Sequence, residues 1–503
     1  MKFHEPRTST LFLLFLVVLL YLVPFLSLKF ESKIEPSIDV VKENIPVWAD
    51  FTSNKDVDSL PPIIVNVPEI SQEEDTTSLE AIISKPIEIR SNFWSPDYDT
   101  CTVKTIALTN TFYGSKEARN RLYKFFESLN GLSSNDTEPL HIFHFGDSQI
   151  EGDRITGRLR SSWQKSWGGS GPGLLPAIQP ISSLAIRQEH EGSIKRFTRF
   201  GRVDTTLGHT NYGAMAALSV IHDSATILLH PHPLGFIKNQ TWHEMEILFG
   251  SVPMGGIMSI YGEKTDSVFV DIPPSAEGAH NSIKVRLAGE KEDLVLKIEG
   301  YEVEVTGIRL GSSRGVQIHN IPMRGSSGTI FTRIGSDHLR RYLSEWNVGM
   351  VILQYGGNTA PYVKTEESAN RYGTRFGRQV RYFHKLLPDA AILVIGPSDM
   401  GETMDSTNLT YPMLGEIRRA LKEETIKEGG LYWDLSEAMG GPGTMSEWST
   451  SSPKLASPDL VHFTPKGARI IGEKLDMAFR AEYRTWEYLV RNNGSGKLKR
   501  ASE

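Results

Sequence analysis

Apolar residues along this chain fall into three textures, and each predicts a different kind of element. The first is a run without charge from Thr8 to Leu28, whose core reads "LFLLFLVVLLYLV". At about 1.5 Å of rise per residue, such a run matches the hydrocarbon thickness of a bilayer, so residues 1–29 are expected to form a membrane anchor built on a transmembrane helix. A cleaved signal peptide is the rival, but the run exceeds a usual h-region and "PFLSLKFES" offers no small-x-small cleavage site. Lys2 and Arg7 before it and Lys29 and Lys33 after it leave the positive-inside count nearly tied. The commoner arrangement, a short tail with the rest translocated, is the expected one. Residues 30–100 mix Pro, Asp, Glu, Ser and Thr without periodicity and read as an extended linker.

The second texture alternates short apolar runs with helical spacing. "LHIFHF" predicts a strand, and "QIEGDRITGRLRSSWQKSW" a helix with Ile155, Leu159 and Trp163 on one face. The pattern stops near 186 and resumes after 315. There "VGMVILQYGG", "AAILVIGPS" and "LYWDL" read as strands, "ANRYGTRFGRQVRYFHKLL" and "LGEIRRALKEETIKEGG" as helices, and a long helix begins near Pro465. Strand–helix alternation predicts an α/β unit with a parallel sheet covered on both faces, formed by residues 101–186 and 316–490. The third texture lies between. Over 187–315, runs such as "ATILLHP", "GGIMSIYGE", "NSIKVRLAG" and "YEVEVTGIRL" are short, strand-like and broken by Gly, Pro, Asp and Asn, as in an inserted all-β sandwich. Residues 491–503 are expected to be a flexible tail.

Composition narrows the function classes. At 503 residues the chain exceeds one ordinary core. A formal net charge of -6 gives no basic footprint for nucleic acid. The single cysteine, Cys101, excludes an internal disulfide and a thiolate-built zinc site.

Four short stretches carry candidate chemistry. In "HFGDSQIEGD", Ser148 falls where a strand gives way to a helix, with Gly146 making the turn and Asp147 or Ser148 able to cap it. Helix amides and dipole at such a junction favour developing negative charge. In "SPDLVHFTPKG", Asp459 and His462 are spaced so that the carboxylate can reach Nδ1 and aim Nε2 outward as a base. In "LQYGGNTAP", Gly356 and Asn358 follow an apolar strand, and the short Asn358 amide suits an oxyanion. In "IPMRGSSGT", Gly325 follows another apolar run and lets a substrate oxygen approach a backbone N–H. Each stretch taken alone is equally an ordinary turn or helix entrance.

Other signals are weaker. His230 and His232 share a strand face but lack a third ligand, and "WHEME" has Ile247 where a zinc motif needs its second His. "GGSGPG" lacks the Lys-Ser/Thr ending of a phosphate loop. Tyr212, Trp242 and Tyr261 are candidates to stack on sugars, with core packing as the commoner role for such aromatics.

The four stretches occur in the block order of the SGNH (GDSL-like) hydrolases, and over about 105–185 and 315–480 the sequence resembles that family. The resemblance implies an SGNH/flavodoxin-like α/β three-layer sandwich. It implies Ser148 as nucleophile, His462 as base and Asp459 as its orienting acid. The oxyanion hole would use the backbone N–H groups of Ser148 and Gly325 and the Asn358 amide, with Gly146, Asp147 and Gly356 in support. Gly325 is matched by position, with Gly328 as its competitor, and Thr359 stands where many members have Asp. "GDSQIEGDRIT", "GGSGPGLLP" and the β insert are similar to bacterial peptidoglycan O-acetylesterases, which carry a carbohydrate-binding-like insert at that place. The implied partners are an acetylated envelope glycan and a lipid bilayer, with no nucleic acid, no metal and no cofactor. The implied location is the inner membrane, single-pass, with the catalytic part in the periplasm. Acetyl transfer to a glycan, or glycan binding without catalysis, are the alternatives.

Overall fold

The protein was analysed as a computed structural model, which describes residues 111–132, 138–201, 203–404 and 407–496. The expected anchor and linker, over 1–29 and 30–100, lie outside the described residues. Among the described residues, no helix is long and apolar enough to cross a membrane.

The chain opens with α1 (Lys116–Gly131), capped by the Ser115 hydroxyl, which accepts from the Ala118 N–H at 3.2 Å. Its apolar spacing buries Leu122, Phe125, Phe126 and Leu129. Strand β1 (Leu140–Gly146) follows, then α2 (Thr156–Trp167). Between these two the structure corrects the sequence expectation. Ser148–Asp153 form a 3-10 turn interrupted by extended Glu151 and left-handed Gly152, so the long helix begins eight residues beyond Ser148. Ser148 therefore sits on a short turn and not at the mouth of a long helix dipole.

The next nine strands are β2 (Gly173–Leu175), β3 (Arg187–Thr198), β4 (Ala217–His230), β5 (Glu244–Phe249), β6 (Gly256–Gly262), β7 (Val268–Ile272), β8 (Asn281–Arg286), β9 (Leu294–Gly300) and β10 (Val303–Gly311). Two facing sheets were expected; instead one antiparallel sheet coils nearly into a barrel. The order is β7-β6-β9-β4-β10-β5-β8, with β2 added to β10 and β3 to β4. Strand β10 explains the continuity: Val303–Val305 pair with β4 and Ile308–Leu310 with β2, while β5 runs along its other edge. Ile227, Leu229, Ile247, Met258, Leu296 and Ile308 fill the interior, the alternate positions of their strands. Tyr212 and Trp242 are fully buried, so neither is available to a sugar, whereas Tyr261 is exposed and packs edge-on against Phe269. His230 pairs with Asp293 at 3.1 Å, and no group of three metal-ligating side chains occurs among the described residues. The "GGSGPG" stretch is a packing loop: a side chain at Gly171, held at φ +84°, would stand 2.5 Å from the Leu310 carbonyl oxygen.

The parallel sheet resumes with β11 (Val316–Pro322), and the chain continues through α3 (Ser336–Ser344), β12 (Val348–Gln354), α4 (Glu366–Leu386) and β13 (Ala391–Ile395). A small hairpin, β14 (Gly401–Met404) and β15 (Thr407–Thr410), leads to α5 (Leu414–Lys427) and β16 (Leu431–Trp433). Short helices α6 (Leu435–Met439) and α7 (Thr444–Thr450) precede α8 (Pro465–Gly496), which runs into the segment expected to be a tail. The sheet order is β11-β1-β12-β13-β16, all parallel. Alternating side chains feed two cores. Ile142, Ile318, Ile352 and Leu393 pack under α1, α2 and α8, and Phe143, Phe145, Val351 and Val394 pack under α3, α4 and α5. Burying each such side chain contributes about 1.5–3 kcal/mol. The strand order reverses between β1 and β12, and in open α/β sheets ligands bind outside the carboxyl ends of the strands at that crevice.

Candidate active site

β1 and β12 end side by side, and the first turn of the site is built on that edge. The Asp147 N–H donates to the Gln354 carbonyl at 3.3 Å, and the Gly146 carbonyl accepts from the Met323 N–H at 2.7 Å. Asp147 caps the 3-10 turn by accepting from the Gln149 N–H at 3.0 Å, which leaves Ser148 at its first position, partly exposed.

His462 and Asp459 come from the loop before α8. Asp459 Oδ1 accepts from the backbone N–H groups of Val461 at 2.9 Å and His462 at 3.0 Å, a local turn that fixes its carboxylate. Leu460, between them, adopts φ +57°, which is strained for a side chain of that size. Oδ2 lies 2.7 Å from His462 Nδ1. A carboxylate there holds the proton on Nδ1 and leaves Nε2 bare. His462 Nε2 is 2.8 Å from Ser148 Oγ, so the hydroxyl donates to it. The structure thus brings Ser148, His462 and Asp459 into one hydrogen-bonded chain.

At the end of β12, Gly356 has φ +122° and turns the chain into Gly357–Thr359, which presents Asn358. Asn358 Nδ2 donates to the Ser326 carbonyl at 3.1 Å, which fixes the amide and leaves its second N–H free of that bond. Ser326 belongs to the turn after β11, closed by its N–H donating to the Met323 carbonyl at 3.0 Å. Gly325 is the third residue of that turn, with φ +73°, and its own N–H takes no part in the closing bond. The Gly328 N–H is committed to Ser326 Oγ at 3.1 Å, and a side chain there would strike Tyr355 at 2.5 Å. Of the two glycines, only Gly325 has its backbone at the exposed tip of the turn.

The chain resembles a peptidoglycan O-acetylesterase in fold. With a solved structure described as "Peptidoglycan O-acetylesterase in action, 5 min" it shares 20% identity at TM-score 0.58, over 75% of this chain and 99% of that one. Two other structures overlap far more loosely. One is an acetyl xylan esterase (16% identity, TM-score 0.25, 32% of this chain and 79% of that one). The other is a family two carbohydrate esterase from Cellvibrio japonicus (9% identity, TM-score 0.24, 60% and 99%). No protein-family model and no curated protein matches the chain.

A small cavity opens beside Ser148, lined by Gln149, Tyr355, Gly357, Asn358, Met400 and Val461 among others. Sequence reading passed over Gln149 and the "GPSDM" segment, although the latter follows a strand end as the other candidates do. Gln149 Nε2 donates to Ser398 Oγ at 3.3 Å and to the Val461 carbonyl, joining the Ser148 turn to the His462 loop. Arg154 was missed as well, and makes a second such link.

Two carboxyls of the site are perturbed in opposite directions. Burial pushes Asp147 up to about 6, against the opposing pull of the Gln149 N–H and of His462. Burial also pulls Asp459 upward, but the hydrogen bond and charge of His462 and two backbone N–H groups outweigh it, leaving Asp459 below its ordinary value. Glu151, raised by burial, is held by Arg324, whose Nε lies 3.1 and 3.2 Å from its two oxygens.

Proposed function

We propose that this chain is a serine esterase that removes O-acetyl groups from a cell-envelope glycan, with peptidoglycan as the substrate. The observation that carries the reading is the Ser148–His462–Asp459 chain at the reversal point of the parallel sheet. His462 Nε2 takes the Ser148 proton as Oγ attacks the acetyl carbonyl. The oxyanion is held by the backbone N–H groups of Ser148 and Gly325 and by the Asn358 amide, each such donor lowering the barrier by about 3 kcal/mol. As the tetrahedral carbon collapses, the C–O bond to the sugar breaks and the sugar oxygen takes the proton from His462. Water, deprotonated by His462, then releases acetate and restores Ser148.

Peptidoglycan as substrate is supported by the fold match to an enzyme of that name and by the sequence blocks around Ser148. The apolar run at Thr8–Leu28 supports a membrane-anchored enzyme, and the periplasmic side follows from the commoner arrangement of a short tail with the rest translocated. The test is acetate release by the full-length protein from O-acetylated peptidoglycan, with Ser148→Ala as control. Acetylation of an added glycan acceptor in place of acetate release would replace hydrolysis by transfer.

A further inference from the structure

Arg154 is unusual among the charged side chains around Ser148. Its guanidinium donates to three backbone carbonyls: Nε to Glu151 at 2.9 Å, Nη2 to Ser148 at 3.2 Å and Nη1 to Phe463 at 2.8 Å. Among the described residues no carboxylate lies within ion-pair distance of it, and the nearby Glu151 carboxylate is taken by Arg324. A guanidinium mostly withdrawn from water costs free energy, and here no contact ion pair offsets it, only the charges of Glu151 and Asp459 acting at longer range. Such a group is retained where its geometry is needed.

The three carbonyls belong to two segments far apart in the chain, Phe463 lying 309 residues beyond Arg154. Ser148 and Glu151 are the start and middle of the turn that carries the nucleophile, and Phe463 directly follows His462. A planar fork with donors on both edges holds all three carbonyls in one fixed geometry, which a compact ammonium on a flexible stem does not. The bond to the Ser148 carbonyl leaves that residue's Oγ and N–H for chemistry.

We infer that Arg154 is a positioning residue, one that sets the distance between Ser148 Oγ and His462 Nε2 by clamping their two main chains together. The inference rests on the proposed nucleophilic role of Ser148. Displacing a reacting group by about 1 Å costs on the order of 100-fold in rate. Ground-state binding of an ester does not pass through the clamp, so the loss falls on kcat and leaves KM nearly unchanged.

The test uses the full-length protein with p-nitrophenyl acetate, and labelling of Ser148 by a fluorophosphonate followed by mass spectrometry. Arg154→Ala is expected to lower kcat about 100-fold with little change in KM, and to slow labelling in parallel. Added guanidinium ion at millimolar concentration should restore part of both rates. Arg154→Lys, which keeps the charge and loses the fork, should stay impaired and gain less from guanidinium because its side chain fills the site. Wild-type kcat and labelling rate in both variants would overturn the inference. So would a loss that guanidinium does not relieve and that tracks a fall in melting temperature, since that describes a merely structural arginine. Labelling of wild type at Ser148 without ester turnover would sink the acetylesterase reading, while the labelling rates still decide the role of Arg154. A wild-type Ser148 that takes no label would overturn the nucleophile and this inference together.

Discussion

Ser148 Oγ and His462 Nε2 lie 2.8 Å apart although 314 residues separate them in the chain. The whole antiparallel sheet and four of the five parallel strands are folded between the two. Their meeting depends on two loops at the same sheet edge, tied by Gln149 to Val461 and by Arg154 to Phe463. An assembly of this kind is expected to fail by small displacements as readily as by loss of a reacting group.

Asp459→Asn tests the orientation of the base. Asn keeps the shape but can donate to Nδ1, which puts the imidazole proton on Nε2, so that Nε2 no longer accepts from the Ser148 hydroxyl. The expected loss in kcat is on the order of 10⁴. Steady-state kinetics on an acetyl ester checks it, and a loss below tenfold would remove Asp459 from the mechanism.

Asn358→Ala removes a donor held in place by the Ser326 carbonyl. The expected fall in kcat is about 10²–10³, with KM little altered, because the bond strengthens only as the oxyanion forms. Equal losses in both constants, or none, would assign the oxyanion elsewhere.

The two glycines after β11 should separate stability from catalysis. Both have φ +73°, so an Ala at either carries backbone strain of about 1–2 kcal/mol. Gly328→Ala also drives a methyl group to 2.5 Å from buried Tyr355 and 2.7 Å from Phe376, adding about 1–3 kcal/mol of overpacking. Gly325→Ala meets nothing within 4 Å and keeps its backbone N–H. Urea unfolding should therefore rank Gly328→Ala well below Gly325→Ala.

Asp147 makes stability depend on pH in a direction opposite to that of Asp459. Its pKa rises from 3.8 to about 6 on folding, so the native state holds that proton more tightly than the unfolded chain. The favourable contribution is complete below about 4 and is lost as pH rises to about 6. Asp459 behaves in reverse: its lowered pKa stabilises the fold above 3.8, and that support is lost as pH falls further. Asp147→Asn should thus gain on wild type between pH 4 and pH 6, by at most about 3 kcal/mol, and hold the difference above that. Melting curves across this range check the sign, and a constant difference would contradict the shift.

Several of these elements are legible in the sequence because one local pattern determines them. Leu159 and Trp163 share a helix face by spacing alone, and "GDS", "GGN" and "DLVH" each end a strand or enter a helix. What escaped notice depends on contacts distant in sequence. Arg154 has the look of an ordinary helix-surface residue until Phe463 is beside it, and Gln149 acquires its role only from Val461 and Ser398. The helix expected from Gln149 is delayed to Thr156 because Glu151 and Gly152 leave helical geometry, a departure that side-chain periodicity does not encode. One coiled sheet and two facing sheets have the same strand pattern; the double pairing of β10 decides between them, and register across strands is invisible in a single strand's sequence. Tyr212 and Trp242 are buried for the same reason that they drew attention: large aromatics fill cores more often than they stack on ligands.

The most direct test of the central claim is acetate released from O-acetylated peptidoglycan by the full-length protein and by Ser148→Ala. The account predicts steady release by wild type and none above background from the variant. Equal release from both would contradict Ser148 as the nucleophile, and no release from wild type would contradict the peptidoglycan esterase itself.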